Sequence, residues 1–251
     1  MSDLAIGALA LVGMIGLIYA GMHVAMALAL CSFLGVFAMK GNMAVSGRML
    51  ALAATESIES YIFGVVPLFV LMGFVVSQAD IGRDAFDVAN RLIGRVKGGL
   101  GIATVGANAI FAAITGISIA SAAVFTRVAV PEMLRHGYSK RFAYGIVAGS
   151  SVLGMLIPPS LLLILYGVLT EQSVGDLFLA GVVPGIILAI AFGIGVYVMA
   201  RRWPAFAGGE ISEEVTPLSA IAMTGKAAPI VLLIALVLGG IYGGFFTPTE
   251  A

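Results

Sequence analysis

Charge is what this chain has least of. Its 251 residues carry 13 basic and 13 acidic side chains, 10 % in all, where soluble domains have about a quarter. The net charge of zero leaves no basic excess and so gives no reason to expect nucleic-acid binding, which needs a basic patch. A single cysteine, Cys31, rules out an internal disulfide and, lying in an apolar run, reads as a small buried hydrophobe. The opening Met1-Ser2-Asp3-Leu4 lacks the positive n-region of a cleaved signal peptide, so the first apolar segment is expected to be retained. There is no His-Glu-x-x-His spacing and no recognisable nucleophile–base pair, which argues against an enzyme. His23 and His136 stand alone at segment boundaries and read as interfacial residues rather than metal ligands.

The scarcity of acids shapes the reading of the interior. Of the 13, only Glu132 falls inside a long apolar segment, near one end. Proton-coupled carriers place carboxylates or histidines at depth. Here the oxygens available at depth are carbonyls and hydroxyls, which suit a hard monovalent cation, so sodium coupling is favoured over proton coupling.

What the chain has in abundance is apolar sequence: 61 % hydrophobic residues and a mean hydropathy of +1.11. This is the composition of an all-α, polytopic membrane protein. Apolar segments fall at 4–20, 23–39, 62–77, 99–134, 142–169, 178–199 and 227–246. About 20 residues cross a bilayer core, so most of these read as single crossings. The segment 99–134 is too long for one crossing and short of the roughly 40 residues that two would need. Arg91, Arg95 and Lys97 precede it; Arg135, Lys140 and Arg141 follow it. Basic flanks lie preferentially on the cytoplasmic side, so the segment enters and leaves by the same face. It reads as a helical hairpin, re-entrant rather than twice spanning, with its tip at Thr115-Gly116-Ile117-Ser118.

Charge extends the topology. The loop 171–176 has acids and no bases, which fits the outer face, and Arg201-Arg202 returns the chain to the cytoplasm. Residues 83–95 alternate charged and apolar positions with Asp87 and Arg91 at i,i+4 spacing, which predicts an amphipathic helix at the cytoplasmic interface or packed on a neighbouring bundle. Residues 43–60 can form another. The stretch 204–216 reads as a solvated loop.

A second interruption lies in 142–169, at Ile157-Pro158-Pro159-Ser160. Proline inside a helix removes an amide donor and clashes with the preceding turn. Two in succession, after Gly154 and before Ser160, free several carbonyls and predict two half-helices with an unwound middle. Non-helical backbone at membrane depth is tolerated only where protein covers it or a cavity adjoins it. Paired interruptions therefore point to an ion or substrate site. At the hairpin tip, carbonyls ending one helix favour cations and amides starting the next favour anions. Thr115 and Ser118 add hydroxyls. For Asn108, Ser121 and Thr126, interhelical hydrogen bonding is the plainer role. Arg127, inside the returning arm, has three readings: reaching the cytoplasmic surface, pairing with Glu132, or meeting substrate.

An ordered series of motifs resembles the large membrane subunit of the TRAP (tripartite ATP-independent periplasmic) transporters, DctM-like, from about Gly21 onward. The series runs Val66-Pro67-Leu68-Phe69-Val70-Leu71-Met72-Gly73, Gly98-Gly99-Leu100, Phe111-Ala112-Ala113-Ile114-Thr115-Gly116, Pro131-Glu132-Met133 and Gly137-Tyr138. It continues with Ile157-Pro158-Pro159-Ser160, Tyr166-Gly167, Gly181 with Pro184-Gly185, and Phe246-Thr247-Pro248-Thr249-Glu250-Ala251. The resemblance implies a multi-pass protein of a bacterial or archaeal inner membrane. It would be the first half of an inverted-repeat, elevator-type sodium symporter for organic acids such as C4-dicarboxylates or sialic acid. Its implied partners are a small four-helix membrane subunit, a periplasmic substrate-binding protein and the second half of the large subunit. Scaffold helices plus the amphipathic connector would occupy 1–97. Half of a transport domain would occupy 98–172, as hairpin 98–136 and broken helix 141–170. Further membrane helices would occupy 173–251.

In such proteins the hairpin tip and the unwound proline helix form one sodium site. That carries onto Ala113, Thr115, Gly116, Ile117, Ser118, Gly154, Ile157, Pro158 and Pro159. Substrate carboxylate is expected at Thr115, Ser118 and Ser160. The family usually has Gly-Ser-Ser at the tip, whereas this chain has Gly116-Ile117-Ser118, one hydroxyl fewer. Family members also carry an inverted second half, so the chain is expected to represent the N-terminal half only. The alternative expectation is a non-transporting remnant or assembly piece of such a subunit.

Overall fold

The computed structural model describes residues 3–59, 61–207, 220–245 and 247. The described residues form helices and connecting turns without strands, as the sequence predicts for an all-α membrane protein. Two units divide at residues 64 and 65, within the first turn of the fourth helix.

The first unit holds α1 (Asp3–Tyr19), α2 (Val24–Lys40) and α3 (Met43–Glu59). Gly21, at φ +92, makes the turn between α1 and α2. Gly35 lies against Ala10 and Gly13 against Cys31, an antiparallel register that lets two apolar helices approach through small residues. Cys31 is partly buried in that contact. At 17 residues each, or about 26 Å, α1 and α2 equal the apolar segments 4–20 and 23–39 in length and fall a little short of the roughly 20 residues that cross a bilayer core. Asn42 caps α3, its side-chain oxygen accepting from the amides of Ala44 (2.9 Å) and Val45 (3.3 Å).

The second unit starts with α4 (Tyr61–Gln78) and α5 (Ile81–Ile93), whose axes bend by 62° at Ala79 and Asp80. Asp80 takes the left-handed conformation (φ 56) that Asp tolerates better than most residues. The amphipathic reading of α5 holds, and of its two placements the packed one is observed. Ala85, Phe86, Val88 and Ala89 are buried against α6 (Gly99–Thr115), α7 (Ser118–Arg135) and α12 (Ala220–Tyr242).

The remaining helices are α8 (Lys140–Ser151), α9 (Leu161–Thr170), α10 (Val174–Arg202) and the short α11 (Pro204–Ala207). Helices α6 and α7 are the expected hairpin, and Phe111 meets Phe125 edge to face across it at 5.6 Å. Its interior alternates with glycine and alanine, and Ala103, Ala107 and Ala112 are wholly buried. At the base of the hairpin, Gly98 lies under Ala200 of α10 and the Ser139 amide donates to the Phe206 carbonyl at 3.2 Å. Phe142 stacks on Tyr138 and meets Phe206 edge-on. Arg135, Lys140, Arg141, Arg201 and Arg202 therefore share one end of the unit, the clustering that the basic flanks predict. Burial pushes the Tyr138 phenol above 10.0, opposed by backbone hydrogen bonds to Gly101 and then Leu100.

Length separates the hairpin from a double crossing. α10 has 29 residues, about 43 Å, and α12 a 21-residue apolar stretch, Ala222–Tyr242; these two are long and apolar enough to cross a membrane. Each hairpin arm is 17 or 18 residues, about 26 Å, closed by a two-residue turn. The loop expected at 204–216 begins as α11, and its residues from 208 lie outside the described residues, as does the terminal motif 246–251 apart from Thr247.

One polar contact ties α12 to α5. Lys226 reaches Asp84 at 2.9 Å and also bonds Asp87, all three side chains being about 30 % exposed. Lys226→Met leaves two adjacent carboxylates without their cation. We expect it to destabilise the unit by about 1–2 kcal/mol, read as a lower thermal midpoint in detergent. Adding Asp84→Asn and Asp87→Asn to it should restore most of the loss.

Candidate functional site

The two interrupted segments meet. α6 ends at Thr115, Gly116 turns the chain in the left-handed region (φ +61), and Ile117 is extended before α7 begins at Ser118. In the second segment the helix departs from α geometry earlier than the prolines. α8 stops at Ser151, a 3-10 turn covers Val152–Met155, and irregular backbone continues to Ser160. The Pro158–Pro159 bond is cis. The amide of Leu161, first residue of α9, donates to the Gly116 carbonyl at 3.1 Å.

Glycine makes this approach possible. A Cβ on Gly116 would lie 2.2 Å from the Pro159 carbonyl oxygen. One on Gly154 would lie 3.0 Å from the Ser118 amide nitrogen and 3.1 Å from the Ile117 carbonyl carbon. Backbone is thus stacked directly on backbone, with side chains excluded. On the far side, α10 seats the break through two more small residues. Gly181 lies against the Leu156 carbonyl and Gly185 against Ile157. Sequence reading assigned no role to this pair; its signal was the four-residue spacing of glycines in an apolar helix.

Oxygens gather at the junction. The last four carbonyls of a helix have no intrahelical partner. In α6 the Ala112 carbonyl takes the Gly116 amide at 2.9 Å, while those of Ala113, Ile114 and Thr115 accept no backbone amide among the described residues. Thr115, fully buried, donates its hydroxyl to the Phe111 carbonyl at 3.0 Å and keeps its lone pairs. The Gly116 carbonyl has one lone pair left after Leu161. At the start of α7 no side chain caps the helix, so the first amides, from Ser118 onward, face the junction uncapped.

The expected residues are not equivalent in this arrangement. Thr115, Gly116, Ile117 and Ser118 form the tip, and Gly154, Pro158 and Pro159 are buried beside it. Ala113 lies in the last turn of α6, and Ile157 packs its side chain on Gly185 of α10. Ser118 is 8 % exposed, and its hydroxyl makes no hydrogen bond among the described residues. Ser160 is otherwise engaged: it donates to the Met155 carbonyl at 2.7 Å and accepts from the Leu163 amide, capping α9.

Below the tip, Asn108 makes the expected interhelical bond. It donates to Ser150 of α8 at 2.8 Å and to the Thr104 carbonyl at 3.2 Å. Ser121, equally buried, leaves its hydroxyl oxygen without a partner among the described residues, as does the Asn108 side-chain oxygen. The pairing of Arg127 with Glu132 is not what the structure shows. Glu132 bonds Arg135 at 3.5 Å and lies 3.8 Å from His136, one turn closer to the hairpin base. Among the described residues no group of three His, Cys, Asp or Glu could hold a metal ion.

Known proteins are similar to this sequence. The family model for the tripartite ATP-independent periplasmic transporter, DctM component, matches residues 11–251. The C4-dicarboxylate TRAP transporter large permease protein DctM of Pseudomonas aeruginosa is 40 % identical over 208 residues, 82 % of this chain and 47 % of its own length. The protein of the same description from Vibrio cholerae is 33 % identical over 97 % of this chain and 52 % of its own. The Vibrio cholerae sialic acid TRAP transporter large permease protein SiaM is 31 % identical over 95 % and 54 %. The chain spans about half the length of these curated relatives.

Two glycines with the same backbone hand separate strain from contact. Gly137 has φ +78 and open space around its Cβ position; Gly116 has φ +61 and the Pro159 carbonyl. Gly137→Ala is expected to lose only the left-handed penalty, about 1–2 kcal/mol. Gly116→Ala adds a backbone clash and should lose at least about 2 kcal/mol more. Thermal unfolding of the two variants in the same detergent checks the order.

Proposed function

This chain belongs to the DctM family of tripartite ATP-independent periplasmic transporters, and from that premise we propose that it forms part of a sodium-driven importer of organic acids. The observation that carries the reading is the bond from Leu161 to the Gly116 carbonyl, which makes two helix interruptions into one oxygen-lined junction. Sodium is held there by neutral oxygens: the carbonyls of Ala113, Thr115 and Gly116 at the end of α6, the lone pairs of the Thr115 hydroxyl, and backbone from Ile117, Ser118, Gly154, Ile157, Pro158 and Pro159. Such a donor set suits a monovalent cation, since each carbonyl offers a partial charge and none titrates. The negative end of the α6 dipole adds to it. Substrate carboxylate sits on the other side of the tip, at the uncapped amides of α7 with the Ser118 hydroxyl, the Thr115 hydroxyl having given its proton to the Phe111 carbonyl. Ser160 contributes through the turn that it caps, its hydroxyl being already engaged.

Coupling follows from shared walls. Sodium draws the carbonyls of the tip and the proline turn together, and the same tip then presents its amides to the acid. The relatives' names supply the substrate class, C4-dicarboxylates and sialic acid, both of which bear carboxylates. The hairpin and broken helix move together as a transport unit in an elevator step, within an inner membrane. A small four-helix subunit braces the scaffold, a periplasmic binding protein delivers the acid, and a second, inverted half completes the substrate site. The protein transports and does not catalyse.

Proteoliposomes holding the complete complex test this. A sodium gradient should drive uptake of labelled succinate or sialic acid, and potassium in its place should not. Thr115→Val, which keeps the shape and removes the hydroxyl, should lower the apparent sodium affinity about tenfold, or 1.4 kcal/mol. Uptake indifferent to sodium would contradict the reading.

A further inference from the structure

A groove of about 620 Å³ lies between the second half of α4, the first turn of α5 and the first three turns of α7. That volume is in the range of small-ligand pockets. Its inner wall includes Ile117 of the hairpin tip; its far end holds Arg127, ten residues along α7 and so about 15 Å away. Ser77 and Gln78 of α4 and Arg83 of α5 complete its polar lining, with Asp80 as the sole acid among the lining residues. Gly82 closes the groove by packing α5 on α7, where a Cβ would fall 2.3 Å from Val124.

The acids that could neutralise these arginines are committed elsewhere. Asp84 and Asp87, beside Arg83 in sequence, are both bound by Lys226. Glu132, the acid on α7, is engaged by Arg135 and His136. Neither Arg83 nor Arg127 makes an ion pair or hydrogen bond among the described residues. Two guanidinium groups against one carboxylate leave a net positive groove, leading from the tip toward the base where the basic flanks gather. A guanidinium grips a carboxylate through two parallel hydrogen bonds.

We propose that this groove is a second anion subsite, in which Arg83 and Arg127 hold the carboxylate of the transported acid between the hairpin tip and the basic end of the molecule. The proposal rests on the transport reading for the identity of the anion. Its occupant is a small organic acid rather than a lipid, because the groove is continuous with the tip residue Ile117 and its polar lining reaches along both α4 and α5.

The full chain in phosphatidylcholine nanodiscs, titrated with labelled succinate, tests it. Arg83→Gln and Arg127→Gln should each weaken binding about tenfold. Arg127→Lys should retain part of the affinity, and Arg141→Gln, outside the groove, should change nothing. In the unsubstituted chain, succinate should protect Arg127 from phenylglyoxal, a readout that needs no variant to fold. Failure of succinate to bind, failure to protect Arg127, or affinity in both Gln variants equal to that of the unsubstituted chain overturns the proposal. So does protection by phosphatidylglycerol that succinate cannot displace, which would make the groove a lipid site. Sodium-driven uptake by the complex that is unaffected by both substitutions would remove the subsite and leave the transport reading standing. Succinate protection of Arg127 in a chain whose complex ignores sodium would do the converse.

Discussion

Unwound backbone inside an apolar protein must find partners for its amides and carbonyls, and the second unit is organised around that requirement. The hairpin tip and the proline turn each leave polar groups that neither helix can satisfy alone. Stacked on each other, they meet through the Leu161 amide and the Gly116 carbonyl. Much else in the unit follows from holding that contact. Gly116 and Gly154 supply bare backbone, Gly181 and Gly185 let α10 cover the exposed side, and the Asn108–Ser150 bond fixes α6 to α8 beneath. The hairpin is short, with arms of 17 and 18 residues that bring its turn against the proline break.

Charge is arranged with the same economy. With so few acids, each pairing decides what remains free. Lys226 draws Asp84 and Asp87 toward α12, and the base of α7 keeps Glu132. The consequence is an oxygen-lined junction without carboxylates at the start of α7, and two guanidinium groups, Arg83 on α5 and Arg127 on α7, that are unpaired among the described residues.

The sequence made the hairpin and the break legible because both violate a strong rule. An apolar segment of 36 positions between basic flanks fits neither one crossing nor two, and a double proline cannot continue a helix. Helix ends came within a few residues for the same reason. Other features carried no such signal. The break begins at Ser151, ahead of the prolines, because glycine and serine near the end of α8 let the helix tighten before Pro158 forbids it. Of the three readings of Arg127, the pairing with Glu132 fails because five residues along a helix is not a facing distance, whereas Arg135 and His136, at i+3 and i+4 from Glu132, do face it. Lys226 lies 139 residues from Asp87, and no local pattern announces a bond at that separation. The roles of Gly181 and Gly185 were equally hidden, since what they touch belongs to another segment.

The claim at the centre is that the two interruptions form one sodium site. The direct measurement is the thermal midpoint of the full chain in nanodiscs as sodium replaces choline at constant ionic strength. A ligand that binds only the folded state raises stability in proportion to the logarithm of its concentration above Kd. The midpoint should rise with sodium, should not rise with potassium, and should lose its dependence in Gly116→Ala while keeping it in Gly137→Ala. A midpoint that ignores sodium, or that rises equally in both variants, would contradict the account.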